Sequence, residues 1–483
     1  MTSIMLRIAG EPRNAEGGRT YRRLNPVTGV LASEAAAASV ADAIAAADAS
    51  AAAFPAWAAM GPNARRAVLL KAADALAARG DLFVAAMAAE IGATVPWARF
   101  NVMLAASMLR EAAALTTQVA GEVIPSDKPG CLAMALREPA GVVLGIAPWN
   151  APVILGVRAL ATPLACGNGV VFKASEICPH THALIVEALE EAGLPKGLVS
   201  LITNAPEDAA DIVGALIDHA AVRRINFTGS TRVGRLIAER AARQLKPVLL
   251  ELGGKAPLVV LKDADVDEAV KAAIFGAFFN QGQICMSTER IILTPEIAET
   301  FLEKFTARAA ALKAGDPAKG DAPLGAVVDR HTVEKVEALI ADARAKGAVV
   351  TSAGAAEGVL MPAQVVDKVT SDMRIYAEES FGPVVAILRA ADEEDAIRLA
   401  NDSEYGLSAS IFTRDTARGL TLARRIQSGI CHINGPTVHD EAQMPFGGSK
   451  ASGYGRFGGR AGIAEFTELR WITMETQPGH YPL

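Results

Sequence analysis

Between residues 141 and 252 the chain reads GVVLGIA (141–147), GVVFKA (169–174), LVSLI (198–202), RINFTG (224–229) and VLLEL (248–252), each run divided from the next by a helical stretch. The runs are dense in Val, Ile and Leu with little polar alternation, the mark of strands buried on both faces. The stretches between them continue through Ala165, cover His180–Ala192, centre near Ala209–Ile217 and cover Arg232–Arg243. In the second of these, Leu184, Ile185, Ala188, Leu189 and Ala192 recur at helical spacing, and Gly193 and Pro195 stop the helix. Strands alternating with helices of this length make βαβ units, a parallel sheet and helices on both faces.

Upstream, from about Val40 to Gln118, the sequence is alanine-rich and predicts successive helices broken at Gly61-Pro62, Gly80 and Gly92. Downstream a second cycle begins after Gly253-Gly254, with APLVVL (256–261), a helix from Val266, RIILT (290–294) and further segments to about Ile433. The expected fold is therefore α/β, with two doubly wound parallel-sheet domains meeting near residue 252. Near the end, ELRWITME (468–475) reads as a strand with no partner beside it in sequence. An uncovered edge invites pairing, and another subunit is the expected partner.

Composition narrows the classes. The chain has 483 residues, and 47 basic against 53 acidic side chains leave a net charge of −6. That balance offers no field for a polyanion, so nucleic acid is not an expected partner. A 51% hydrophobic content with 21% charged residues excludes disorder as a general description. Aromatic residues are only 5%, which with the alanine excess favours helices over an all-β sandwich. The uncharged run from Pro139 to Val157 holds Pro139, Pro148, Pro152 and Asn150, a set no ordinary spanning helix carries. The first residues, MTSIMLRIAGEPRNAEGG, lack a signal-type apolar stretch, so a soluble, cytoplasmic chain is expected. Five scattered cysteines without CxxC argue against disulfides or structural zinc, and seven histidines show no ligand spacing. No metal is expected.

Several local patterns carry chemistry, each with an ordinary alternative. The one GxGxxG, at Gly453, Gly455 and Gly458, lies in a glycine-rich loop near the C-terminus without the strand and helix a dinucleotide site requires, and reads as a decoy. Gly229 and Ser230, with Gly234, follow the strand RINF and open a helix, so their amides can face an anion; a plain serine N-cap is the alternative. Lys173 and Glu176 sit at the carboxyl end of GVVF, where ligands gather on open sheets and an acid can accept from ribose hydroxyls; a solvated ion pair is the alternative. Cys285, in GQIC (282–285), occupies a polar break rather than a core pattern, as a nucleophile would; a buried thiol is the alternative. Glu251 ends a buried strand, where a carboxylate is costly unless paired or useful. Asn150, after Pro148-Trp149, can donate to an oxyanion or simply make a turn.

Together, PWN (148–150), KASE (173–176), FTGS (227–230), ELGGK (251–255), GQIC (282–285) and EESFGP (378–383) resemble the aldehyde dehydrogenase superfamily, in order and spacing over about residues 20–475. The resemblance implies a Rossmann-like coenzyme-binding domain (1–118 and 140–252), a catalytic domain (253–450) and a small β oligomerisation element (119–139 and 451–483). It implies a homodimer or homotetramer and NAD as cofactor. Carried over, Cys285 is the nucleophile, Glu251 the general base, and Asn150 with the Cys285 amide the oxyanion hole. Lys173 and Glu176 match the adenosine-ribose contacts. Trp149, Gly229, Ser230 and Gly234 match the adenine–pyrophosphate region, and Glu379 and Phe381 the nicotinamide ribose and ring.

The stretches RRINFTGSTRVGRLIAE (223–239) and FNQGQICMSTERI (279–291) are similar to bacterial enzymes acting on salicylaldehyde, benzaldehyde and vanillin. An aromatic aldehyde is the implied substrate, oxidised to the acid through a thiohemiacetal and thioester; an aliphatic aldehyde or semialdehyde is the runner-up. The implied aldehyde tunnel takes Trp97, Phe100, Ala151, Arg158, Ile284, Met286 and Phe446. Ala151 is small where many relatives acting on aliphatic aldehydes carry a bulky aromatic, leaving room for a flat ring. Arg158 lies two helical turns further on and can bind ring hydroxyls or stack; a salt bridge between domains is the alternative.

Overall fold

The computed structural model describes residues 3–320, 322–478, 481 and 483, so the ranges 1–118 and 451–483 run in part beyond the described residues. The five quoted runs form β1 (Val142–Ile146), β2 (Gly169–Lys173), β3 (Val199–Ile202), β4 (Val222–Thr228) and β5 (Val248–Glu251). They lie parallel in the order β5-β4-β1-β2-β3. The chain leaves β1 toward β2 on one side and later crosses to β4 on the other. A doubly wound sheet opens a crevice at that switch, beyond the carboxyl ends of its strands.

The helices follow the predicted breaks. They are α1 (Val40–Ala58), α2 (Pro62–Ala78), α3 (Gly80–Ile91), α4 (Val95–Leu115), α5 (Pro152–Ala165), α6 (Pro179–Glu191), α7 (Ala209–Asp218), α8 (Thr231–Arg243) and α9 (Val266–Phe278). Ser39 and Asp42 close a reciprocal capping box at the start of α1, and Gly92, at φ +65°, ends α3. Alanines on α1, α2 and α4 are buried, and their small side chains let the helices approach one another and the sheet.

The second cycle gives β6 (Ala256–Val260), β7 (Thr288–Leu293), β8 (Gln364–Asp367), β9 (Val384–Arg389), β10 (Ser408–Phe412) and β11 (Ile430–Ile433), parallel in the order β8-β9-β7-β6-β10-β11. An antiparallel strand, Val349–Ser352, finishes the β8 edge. The expected α/β class with two parallel-containing sheets is present.

Three features depart from expectation. The strand Thr467–Glu475 finds its partner inside the chain, antiparallel to Cys131–Pro139, which also pairs with Glu122–Ile124. The expected pairing with another subunit is thus replaced on that edge, because residues 131–139 supply the same hydrogen bonds from far away in sequence. Second, Leu6–Ile8 and Glu11–Arg13 extend the first sheet beyond β3. Strands of three residues are too short to display a period. Third, Gly453–Tyr454 returns to cover the outer edge of β5, pairing Tyr454 with Leu250 and Gly453 with Glu251.

That return explains the decoy glycines. Gly453 has φ +106°, and a Cβ there would lie 2.0 Å from the Leu250 carbonyl oxygen. Gly453→Ala is expected to cost about 1–3 kcal/mol through the strained φ and the clash. A lowered denaturation midpoint checks it; an unchanged midpoint would show that the strand is not seated as described.

Candidate active site

The strand register sets the site. Glu251 lies opposite Thr228, Phe227 opposite Ile146, and Ile146 opposite Lys173, so these residues form one row at the carboxyl edge of the sheet. The segments leaving that edge carry Trp149 and Asn150, Glu176, and Gly229 with Ser230. A cleft of about 1300 Å³ opens over them. Its lining includes Trp149, Asn150, Lys173, Glu176, Gly229, Ser230, Cys285, Glu379 and Phe381. Lys335, from the helix Arg330–Ala345, and Val213 on α7 also line it and were not singled out from sequence.

Within the cleft, Ser230 caps α8 and accepts from the Val233 amide at 3.4 Å. The N-terminal amides of α8 face the cleft, as an anion site requires. Lys173 and Glu176 form an ion pair, and Asn204 also donates to Glu176 at 3.0 Å. The Lys173 side chain is buried, which departs from the solvated pair that local sequence suggests. Gly234 does not line the cleft. A Cβ on it would meet Leu252 at 2.5 Å, so its smallness serves the packing of α8 on β5. The cleft's volume, its helix N-terminus and its buried Lys–Glu pair fit a dinucleotide. Among the described residues no group of three or more His, Cys, Asp or Glu side chains is arranged to hold a metal, and no helix is long and apolar enough to cross a membrane.

Cys285 follows a loop whose backbone is strained: Asn280 and Gln281 have φ of +48° and +55°. Their side chains hold the loop in that shape. Asn280 donates to the Asn150 carbonyl at 3.0 Å and to that of Gln283 at 3.4 Å. Gln281 bridges Ala326 and Gly325, and Gln283 accepts from the Val328 amide at 2.9 Å. Asn150 in turn donates to the Gln283 carbonyl at 3.0 Å. Sequence reading passed over these amides as a polar break; polar residues running through an otherwise buried segment were the available signal.

Six of the seven expected tunnel residues belong to or pack against the large apolar core that Cys285 also packs against, and Arg158 lies over Phe446 of that core. Trp97, Ala151, Ile284, Met286 and Phe446 are buried in one apolar cluster, against which Phe100, Trp149 and Cys285 pack. Trp97 also donates its indole N–H to the Asn150 carbonyl at 3.0 Å, so it helps fix the asparagine. The Trp97, Phe100 and Phe279 rings meet with centroids 5.0–6.0 Å apart. Arg158 pairs with Asp440 and lays its guanidinium 4.1 Å from the Phe446 ring centroid. None of the seven lines the large cleft itself; Cys285 and Asn150 stand between the two regions.

Ionisation here is governed by burial. Glu251 is 2% exposed, and neither carboxylate oxygen has a close hydrogen-bond partner. Burial pushes its carboxyl up to about 8, with the Arg158 and Arg456 charges offsetting part of the rise. Burial likewise pushes the Cys285 thiol up to about 12, and the nearby Glu251 and Glu379 charges add to it. Glu379 accepts from the Gly254 amide at 2.8 Å yet is raised to about 7, by burial and then by Glu289. Glu289 accepts from Lys255 at 2.6 Å and from the Ser380 and Phe381 amides, which anchors the Glu379–Phe381 segment on β7.

A family model described as "Aldehyde dehydrogenase family" matches residues 13–472. The chain belongs to the aldehyde dehydrogenase family. It is 60% identical over 483 residues to a vanillin dehydrogenase of Pseudomonas fluorescens, covering all of both chains. A salicylaldehyde dehydrogenase of Pseudomonas putida is 51% identical over 465 residues, 96% of each chain. Among solved structures, a salicylaldehyde dehydrogenase from Pseudomonas putida G7 complexed with salicylaldehyde superposes with TM-score 0.98 at 49% identity, covering all of both chains. A betaine aldehyde dehydrogenase from Staphylococcus aureus in complex with NAD+ gives 0.95 at 30% identity, covering all of this chain and 97% of that one. An aldehyde dehydrogenase needs its cysteine loop held rigidly. Asn280→Ala is therefore expected to lower kcat for aldehyde oxidation on the order of tenfold to a hundredfold, the usual effect of a misplaced reacting group. Steady-state kinetics checks it, and an unchanged kcat would mean the strained loop holds its shape without Asn280.

Proposed function

We propose that the protein oxidises an aromatic aldehyde to its carboxylic acid with NAD, through a thiohemiacetal and a thioester on Cys285. The observation that carries this reading is the position of Cys285 on the wall between the dinucleotide-sized cleft and the aromatic-lined cluster of Trp97, Phe100, Ala151 and Phe446. Vanillin and salicylaldehyde dehydrogenases as full-length relatives support the substrate class.

In this reading Lys173 and Glu176 hold the adenosine ribose, and the start of α8 at Gly229-Ser230 faces the pyrophosphate, with Gly234 behind it. Glu379 and Phe381 border the nicotinamide end, and Trp149 joins them there rather than in the adenine–pyrophosphate region, because its ring lies edge-on to Phe381 at 5.9 Å. When bound, NAD supplies the hydride acceptor. The protein does the rest. At neutral pH the Cys285 thiol is protonated, and its proton passes to solvent as the sulfur bonds to the aldehyde carbon. Glu251, buried and raised to about 8, is the base for the later hydrolysis, acting in its ionised form. The Asn150 amide and the Cys285 backbone N–H stabilise the oxyanion, a donor pair of which one member typically contributes about 2.7–4 kcal/mol to the transition state. After hydride loss the thioester remains, and Glu251 takes a proton from water as it attacks, releasing the acid and the thiol. Ala151 leaves space for a flat ring, which Ile284, Met286 and Phe446 enclose.

We further propose that the protein works in the cytoplasm as a homodimer or homotetramer through the sheet of Glu122–Ile124, Cys131–Pro139 and Thr467–Glu475. Val123, Leu469, Trp471 and Met474 are exposed there.

Cys285→Ala is expected to abolish turnover, and Glu251→Gln to stall the acylated enzyme, visible as a mass adduct on Cys285. A carboxyl raised to about 8 is protonated below that pH. Acid release should therefore rise with pH to a plateau above about 8, and Glu251→Gln should flatten the profile. Turnover by Cys285→Ala would sink the mechanism. For the coenzyme, the Glu176 carboxylate should repel a 2′-phosphate, giving a kcat/KM at least about tenfold higher with NAD than with NADP. Equal values would overturn that assignment.

A further inference from the structure

Arg158 and Asp440 form an ion pair whose side chains are only 6% and 7% exposed. Such a pair adds little stability, because desolvating both charges offsets their attraction. Its geometry is also incomplete. Asp440 accepts from Arg158 through Oδ2 and lies beside the Glu441 amide, while Oδ1 is buried and makes no close hydrogen bond within the protein. An unpaired buried acceptor costs about 1–3 kcal/mol, so its retention asks for a ligand that donates.

The pair lies where a substrate ring would. Arg158 is on α5 two turns after Ala151, its guanidinium over Phe446 and 5.8 Å from the Phe457 ring centroid. Asp440 comes from the loop after β11. Both charges are felt at Cys285 and at Glu251, which fixes the pair near the reacting atoms. Asp440 also neutralises Arg158, so the pair presents no free cation to a carboxylate.

We propose that Asp440 is a specificity-determining residue whose Oδ1 accepts a hydrogen bond from a neutral ring hydroxyl of the aldehyde, with Arg158 holding the carboxylate in place. This rests on the aromatic-aldehyde reading above and sharpens it: hydroxylated benzaldehydes are preferred to benzaldehyde, and semialdehydes bearing a carboxylate are refused.

The test measures kcat and KM with NAD for benzaldehyde, the three hydroxybenzaldehydes and succinic semialdehyde, using the full chain and Asp440→Asn. The wild-type protein should favour at least one hydroxybenzaldehyde over benzaldehyde, chiefly through KM. Asp440→Asn should lower that ratio at least about tenfold, since the acceptor charge is lost, and should raise the use of succinic semialdehyde by freeing Arg158. A uniform loss across all aldehydes, as from a mere strut, overturns the proposal, as does an unchanged ratio. Should Asp440→Asn fail to fold, inhibition of the wild-type protein decides. Phenol should inhibit at least about tenfold more tightly than anisole, its methyl ether, which cannot donate; equal inhibition overturns the proposal. Benzaldehyde oxidised without any hydroxyl preference removes this inference alone, whereas no oxidation of any benzaldehyde removes the aromatic reading with it.

Discussion

Three ionisable groups, Cys285, Glu251 and Glu379, stand near one another at the cleft, and burial makes charge costly on each. Cys285, Glu251 and Glu379 are each raised by burial, and Cys285 is raised further by both carboxylates. In a low dielectric each negative charge makes the next harder to form. Cys285 is therefore harder to ionise while either carboxylate is charged. A reaction that first removes a proton from sulfur and later takes one from water must pass one proton to solvent in each turnover, so both removals depend on pH.

Keeping the geometry of these groups fixed takes buried polar residues. The Asn280, Gln281 and Gln283 amides tie the cysteine loop to Asn150 and to residues 325–328. The Lys255–Glu289 pair does the same for the Glu379–Phe381 segment. Arg290, beside Glu289 and also buried, donates to the Leu399, Ala400 and Asp402 carbonyls. Such satisfied networks fix one conformation where apolar packing would tolerate several.

The parallel sheets and most helices were legible in the sequence because their signals are local: unbroken apolar runs, helical spacing, and glycine or proline at the breaks. The short motifs were legible because the chemistry constrains residue type at strand ends. Other features were hidden for physical reasons. Three-residue strands carry no period. The partner of Thr467–Glu475 lies some 330 positions earlier. Gly453, Gly455 and Gly458 were read as a decoy for a phosphate loop, but the close backbone approach they accommodate was not visible, and Gly234 serves helix packing. Asp440 resembles any loop aspartate until its side chain is found buried beside Arg158.

The strand Gly453–Tyr454 has a consequence for how the protein is made. It closes the outer edge of β5, the strand that ends in Glu251, some two hundred residues after that strand leaves the ribosome. Until then the edge is bare, and the first sheet waits as an open template while the whole second sheet is synthesised. Co-translational folding of the first unit thus stops one strand short, leaving the nascent chain with a sticky border while those two hundred residues are added. The positions from Gly453 onward are what convert a nearly finished sheet into one with a sealed carboxylate, so the site is completed only after the second sheet has been made.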